Sequence, residues 1–381
     1  ILSGLVGSEM CIRDRENMDS HWTHAFLRFW RLPAARYGQW KASRNSVEYQ
    51  APLRSELFST EQMARHGTLL AQQHRLSPSR TPDWLLARLA DNASALASCC
   101  KSLTAATHAS PRATPAAEWL LDNYYLLEEQ IRITRTHLPR GYSRQLPRLA
   151  NGQSAGLPRV YDIALETISH GDGRVDTDSL GRFVDSYQSV TPLMLGELWA
   201  IPIMLRLALI ENLRRVAFRV MANWSERNLA NDWADRLMET AEQDAKSVVL
   251  AVADMARSAP PMTAAFVAEL ARRLQGQNAA LVLPLAWIEQ LLGETGLNIE
   301  RLVQLDAQQQ AADQVSISNS ISSLRLLSAS NWREFVELMS RVEQVLEQDP
   351  AGVYRRMDFA TRDHYRHVLE RLARHLSLIH I

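Results

Sequence analysis

Apolar positions recur with a helical period along most of this chain. Ser59 and Gln62 form a capping-box pattern ahead of Met63, Leu69 and Leu70. Thr81-Pro82 opens a second pattern carrying Leu85, Leu89, Leu96 and Leu103, and Thr114-Pro115 a third carrying Trp119, Leu120, Tyr124, Leu127 and Ile131. In each, threonine can cap free amides while proline occupies a position that needs none. Val160, Ile163, Ala164, Thr167 and Ile168 share one helical face, and Leu180, Phe183, Val184 and Tyr187 another. Thr191-Pro192 reads as the start of a long helix that Pro202 should kink. Further helices are predicted near 229–257, 264–275, 278–292 and 298–328 and from Trp332 and Asp358, where Trp332, Phe335, Val336, Met339 and Leu346 form one stripe. No window alternates with period two, so no sheet is predicted. The expected fold is all-α, an irregular multi-helix array of about ten to twelve helices.

The pattern breaks between 138 and 158, where Pro139, Gly141, Pro147, Gly152, Gly156 and Pro158 forbid a continuous helix. This Pro/Gly-rich joint separates an expected N-terminal helical subdomain, 58–137, from a main helical domain, 159–375. Residues 16–57 read as a poorly structured arm rich in arginine and tryptophan. Residues 1–15, with EMCIRDR at Glu9–Arg15, and LSLIHI at 376–381 resemble a sequencing adapter translated in two orientations. Both ends are therefore set aside as adapter-derived, which makes the chain a fragment with Met18 as a candidate start, and apolar Ile1–Gly7 is not read as a signal peptide.

Charge is balanced, with 42 Lys+Arg against 42 Asp+Glu, so no net field draws nucleic acid or an anionic membrane. Lysine occurs only at Lys41, Lys101 and Lys246; arginine, the dominant cation, suits interhelical ion pairs. Cys99 and Cys100 are adjacent, without the spacing of a zinc or redox motif, and read as buried thiols of a reducing compartment. The most apolar run, Pro192–Leu213, is interrupted by Glu197, Arg206 and Glu211 and is not read as a membrane span.

Candidate chemistry is sparse. Asp176-Thr177-Asp178 is a D-x-D, but it lies between two helical patterns, where Thr177 or Asp178 serves as an N-cap. His170–Asp176 has the second half of a calcium loop, with Ile168 and Ser179 where the closing ligands belong. His364, His367 and Asp363, and likewise His21 and His24, have ligand-like spacing without further ligands, so they read as polar helix faces. Nucleophile-elbow, phosphate-loop and Q-x-x-R-W motifs are absent. No catalytic, cofactor-binding or metal-binding residue is assigned. What survives are partner surfaces: Glu197, Arg206, Glu211 and Arg214 beside an apolar helix, and Arg140 and Arg144 among the joint arginines. These either pair within the fold or dock a neighbouring region.

Two blocks carry a resemblance. LPRGYSRQLPRL, GLPRVYDIA and GELWAIPIMLRLALIENLRR, between Leu138 and Arg215, and VSISNSISSLRLLSASNWREFVELMSRVEQVLEQDPAGVYRRMDFATRDHYRHVLERLAR, Val315–Arg374, resemble the N-terminal region of the bacterial cyclic β-1,2-glucan synthases. The resemblance implies a parent enzyme of the inner membrane that polymerises glucose from UDP-glucose with Mg²⁺ or Mn²⁺, its catalytic motifs lying outside this chain. It implies that the chain is a non-catalytic, cytoplasmic helical accessory region. Its partners would be the downstream transferase and transmembrane regions of the same polypeptide, or a second copy. Other expectations are a carbohydrate-binding module using Trp119, Tyr124, Tyr125 and Trp199, aromatics that otherwise read as core, and a stand-alone helical regulator.

Overall fold

The computed structural model describes residues 50–77, 84–109, 114–139 and 141–375. The presumed adapter ends, residues 16–49 of the arm, Thr81-Pro82, Arg140, His21 and His24 lie outside them. The described residues hold fourteen α-helices, an all-α array as expected. They are α1 (Thr60–Gln73), α2 (Leu85–Ala109), α3 (Pro115–Asp122), α4 (Tyr124–His137), α5 (Arg159–His170), α6 (Thr177–Gln188), α7 (Leu195–Gln243) and α8 (Val248–Ser258). After them come α9 (Ala264–Leu274), α10 (Val282–Gly293), α11 (Ile299–Ala329), α12 (Trp332–Met339), α13 (Arg341–Leu346) and α14 (Phe359–His375).

Local signals set many of the helix starts. The Ser59 capping box closes in both directions, Ser59 N donating to Gln62 Oε1 at 2.8 Å and Gln62 N to Ser59 Oγ at 3.3 Å. Thr114 caps α3 through Ala117 N. The D-x-D is a cap, but its first residue does the work: Asp176, not Thr177 or Asp178, accepts from Ser179 N at 2.9 Å.

Four expectations are corrected. The Thr114 pattern is not one helix, because the chain breaks at Asn123, whose side chain bonds the Trp119 carbonyl and receives Arg325. Thr191-Pro192 belongs to the turn leaving α6; α7 starts at Leu195, where Glu197 accepts from Met194 N at 2.9 Å. That helix then continues through Pro202 and across 229 to Gln243, 49 residues or about 73 Å of helix. A small sheet also exists, Leu76–Ser77 (β1) antiparallel to Arg148–Leu149 (β2), too short to show alternation in sequence.

α7 is the axis of the fold. Its first half is buried nearly all round, which explains an apolar run that would otherwise suggest a membrane span. α2, α5, α9 and α11 pack on it, and no helix among the described residues is long and apolar enough to cross a membrane. The core falls into two clusters strung along α7 and α11, one holding Leu195–Met221 with Ile317–Leu327, the other Ala230–Ala241 with Ile299 and Leu302. Between them on both helices lies a polar belt: Arg219 meets Asp313, and Arg227 meets Asp306 at 2.5 Å. Serines of the second family-like block explain how close α11 comes. Asn212 Nδ2 donates to Ser316 Oγ and Ser320 Oγ at 3.2 Å, and Ser323 Oγ donates to the Gly173 carbonyl at 2.8 Å.

α1 packs closely on α6 because Gly67 has no side chain. A Cβ there would lie 2.6 Å from the Phe183 carbonyl oxygen and 2.9 Å from its Cδ2. Alanine in a helix interior ordinarily gains up to about 1 kcal/mol over glycine. Here the backbone contact must open, so Gly67→Ala is expected to lose about 1–3 kcal/mol instead. A urea midpoint that falls checks this; one that rises contradicts it.

Candidate functional site

Burial forces the charges beside α7 into definite arrangements, since an ionised side chain away from water needs a partner. Glu211 is wholly buried and receives four hydrogen bonds. Arg88 of α2 donates to it through Nε and Nη2, both at 2.5 Å, Arg215 Nη2 at 2.5 Å, and the Tyr161 hydroxyl at 2.7 Å. Burial alone would raise the Glu211 carboxyl. The Arg88 hydrogen bonds, the Arg88 and Arg215 charges and the Tyr161 hydrogen bond outweigh it and bring the group down to about 2. Tyr161 is pushed well up by its own burial and by the carboxylate beside it.

Glu197, also wholly buried, forms a two-point pair with Arg159 of α5, from Nε and Nη2 at 2.6 Å each. Arg159 Nη2 further donates to the Pro192 carbonyl at 2.9 Å, which fixes the turn from α6 into α7. Arg206 is satisfied by neutral acceptors, Gln130 Oε1 at 3.2 Å and the Leu327 carbonyl at 2.9 Å, and burial lowers its pKa. Arg214 donates to Gln50 Oε1 at 2.7 Å and lies over the Phe218 ring, while its buried Nε and Nη1 have no partner among the described residues. Of the joint arginines, Arg144 is exposed; Arg148 is buried and holds the joint together by donating to the Gly156 and Ser143 carbonyls.

The aromatics divide. Trp199 is half-buried with its ring edge-on to Phe359, and Tyr124 is half-buried. Trp119 and Tyr125 are 42% and 65% exposed, so the expectation that they are core is corrected for both. Trp119 is adjacent to Leu120 in α3 and so lies about 100° round the helix from it, off the face that Ala116, Ala117 and Leu120 bury.

Cys99 and Cys100 are buried free thiols, raised to about 11 and about 12 mainly by burial, which makes them poor nucleophiles. His364 and His367 are exposed, the latter donating from Nδ1 to the Asp363 carbonyl at 2.9 Å. Asp172, from the calcium-loop pattern, accepts from Arg54 Nε at 3.0 Å within a turn.

One cluster was not anticipated. His66 of α1 meets Glu166 and His170, one turn apart on α5: Glu166 Oε2 is 2.7 Å from His66 Nε2 and 3.2 Å from His170 Nε2. Burial would raise Glu166, but the hydrogen bonds and charges of His170 and His66 lower it to about 2. His170 is lowered by burial and raised more strongly by its bonds to Glu166 and the Glu56 carbonyl, for a net rise. The spacing of Glu166 and His170 was the available sequence signal; His66 lies 100 residues away and gave none.

Comparison with known proteins adds a direct relation. No family model matches the chain. The chain is 31% identical over 329 residues, 86% of its length, to the cyclic beta-(1,2)-glucan synthase NdvB of Rhizobium meliloti (strain 1021). This chain is a homologue of one segment of that synthase. The match covers only 11% of the relative's length, so the chain spans about a ninth of the curated protein it matches. The described helices carry both family-like blocks: the first runs from the joint into α7, and the second from the middle of α11 into α14.

Proposed function

We propose that this chain is a helical accessory region of a cyclic β-1,2-glucan synthase, with no turnover of its own. The observation that carries the proposal is the match of 86% of the chain to 11% of the length of the synthase. The arrangement of charged groups supports it. Glu197, Glu211 and Arg159, which could otherwise act as acids, bases or anion clamps, are buried and bonded to one another's helices. In this reading the region lies on the cytoplasmic face of the inner membrane and packs on the transferase portion of the same polypeptide or on a second copy. The transferase portion, with UDP-glucose and Mg²⁺ or Mn²⁺, performs glucose transfer. Exposed Arg144 and its neighbour Arg140 are candidate contacts to that portion; Glu197, Arg206, Glu211 and Arg214 act from inside, holding the presenting surface in shape. The test is to incubate the purified chain with UDP-glucose and Mg²⁺ or Mn²⁺ and follow UDP release. No release above the uncatalysed rate is expected; steady release that scales with protein contradicts the proposal.

A second reading has one specific observation behind it, the exposed rings of Trp119 and Tyr125. Aromatic faces open to solvent can stack on the apolar face of a glucose ring. If they hold glucan, titrating the chain with linear β-1,2-glucan oligosaccharides shifts its tryptophan fluorescence saturably. Trp119→Ala then weakens binding about tenfold, as loss of about 1.4 kcal/mol implies. An unchanged emission spectrum excludes this reading.

A further inference from the structure

We propose that His66, Glu166 and His170 form a binding site for a zinc-class divalent cation. The inference does not rest on the glucan-synthase reading. Three ligand atoms, one ring nitrogen of each histidine and a carboxylate oxygen of Glu166, all lie within 4.8 Å of one another. A tetrahedral zinc ion with bonds of 2.0–2.1 Å sets its ligands about 3.3 Å apart. His170 and Glu166 are already at 3.2 Å, and His66 and Glu166, at 2.7 Å, need to part by about half an ångström.

The surroundings are arranged as a metal site requires. His170 Nδ1 donates to the Glu56 carbonyl at 2.7 Å, which keeps a proton on Nδ1 and makes Nε2, the nitrogen that faces Glu166, the one that gives up its proton to an incoming cation. Phe58 stacks on the His170 ring, centroids 3.8 Å apart and planes 8° from parallel. Phe183 lies parallel to the His66 ring at 6.0 Å. Both imidazoles are thus oriented by apolar walls as well as by Glu166. Two neutral imidazoles and one carboxylate carry a single negative charge, which a divalent cation neutralises and reverses.

Ligand chemistry selects the metal. Imidazole nitrogens favour zinc and its first-row neighbours, whereas Mg²⁺ and Ca²⁺ take oxygen ligands. Two histidines and one glutamate are also the protein set of zinc sites that keep a fourth position open. All three side chains are partly exposed, so an ion can enter and water can complete the tetrahedron. The ligands join the middle of α1 to the end of α5, and the Glu56 contact adds the segment before α1, so a bound ion fastens three parts of the fold at one point.

The test is calorimetric titration of the full chain, stripped of metal with a chelator, with zinc chloride and separately with magnesium chloride. One zinc ion per chain and no magnesium signal are expected. Glu166→Gln, which keeps the side chain's shape, should weaken zinc binding about tenfold or more, as should His66→Gln, with helical circular dichroism unchanged. If His66→Gln fails to fold, Glu166→Gln and His170→Gln carry the comparison. Absence of stoichiometric zinc binding overturns the proposal, as does zinc bound equally well by the native chain and the folded variants, since that ion sits elsewhere.

Discussion

Replacing Glu211 by glutamine is expected to cost about 3–5 kcal/mol of folding stability, the loss typical when one partner of a buried ion pair is removed. The glutamine keeps one acceptor but turns an NH₂ group toward guanidinium donors, so Arg88, Arg215 and the Tyr161 hydroxyl converge on a site that no longer neutralises them. The lower end of the range applies, because Arg88 and Arg215 are 29% and 16% exposed and water screens part of their charge. The same substitution alters the acid response. Glu211 is held at about 2 when folded, against 4.5 for an ordinary glutamate, so the unfolded chain binds more protons between these values and stability rises with pH across them. The Glu211 contribution is fully present above about 4.5 and disappears as pH falls through about 2. Urea midpoints from pH 5 to pH 2 should therefore slope less steeply in Glu211→Gln than in the native chain. Glu166, also lowered to about 2, maintains part of the slope in both. Equal slopes would contradict the assignment of Glu211 as an ionised hub.

The second large effect lies at Arg159. Arg159→Met is expected to destabilise the fold by about 3–5 kcal/mol, because Glu197 then remains ionisable in a place water does not reach. Arg159→Met combined with Glu197→Leu removes both charges while filling similar volume, and such exchanges are often neutral or stabilising. The double variant should recover most of the loss, apart from the Pro192 carbonyl and Met194 amide, which lose their partners. A double-mutant cycle in chemical denaturation measures the coupling. If the double variant loses as much as the sum of the single ones, the pair is not coupled and the account fails here.

How much of this was legible depended on distance along the chain. Ser59, Thr114 and the Asp176 cap act within three residues, so their roles were visible in local patterns, with an error of one or two residues at Asp176. The faces of α5 and α6 were equally legible, because each is a short helix with one buried side. α7 was not, since a helix buried all round and then crossing a polar belt gives no single periodicity to follow. Nor were the partners of its charges. Arg159 is 38 residues from Glu197, and Arg88 is 123 from Glu211; composition announced that arginine would pair but could not say with what. Asn123, at the break between α3 and α4, accepts from Arg325, 202 residues away, a partner that no local pattern shows. The histidine cluster shows the same division: Glu166 and His170 stand at a readable spacing, while His66 arrives only through the packing of α1.

On the proposed function, this chain does the work of one segment of a cyclic β-1,2-glucan synthase without supplying the chemistry. It is tested most directly by exchange. The segment of the Rhizobium meliloti synthase that matches this chain is deleted, or replaced by residues 50–375, and membranes holding each protein are assayed for cyclic glucan made from UDP-glucose. The deletion is expected to abolish synthesis and the replacement to restore it. A deletion that still makes cyclic glucan at the native rate, or a replacement that accumulates in the membrane and makes none, would contradict the account.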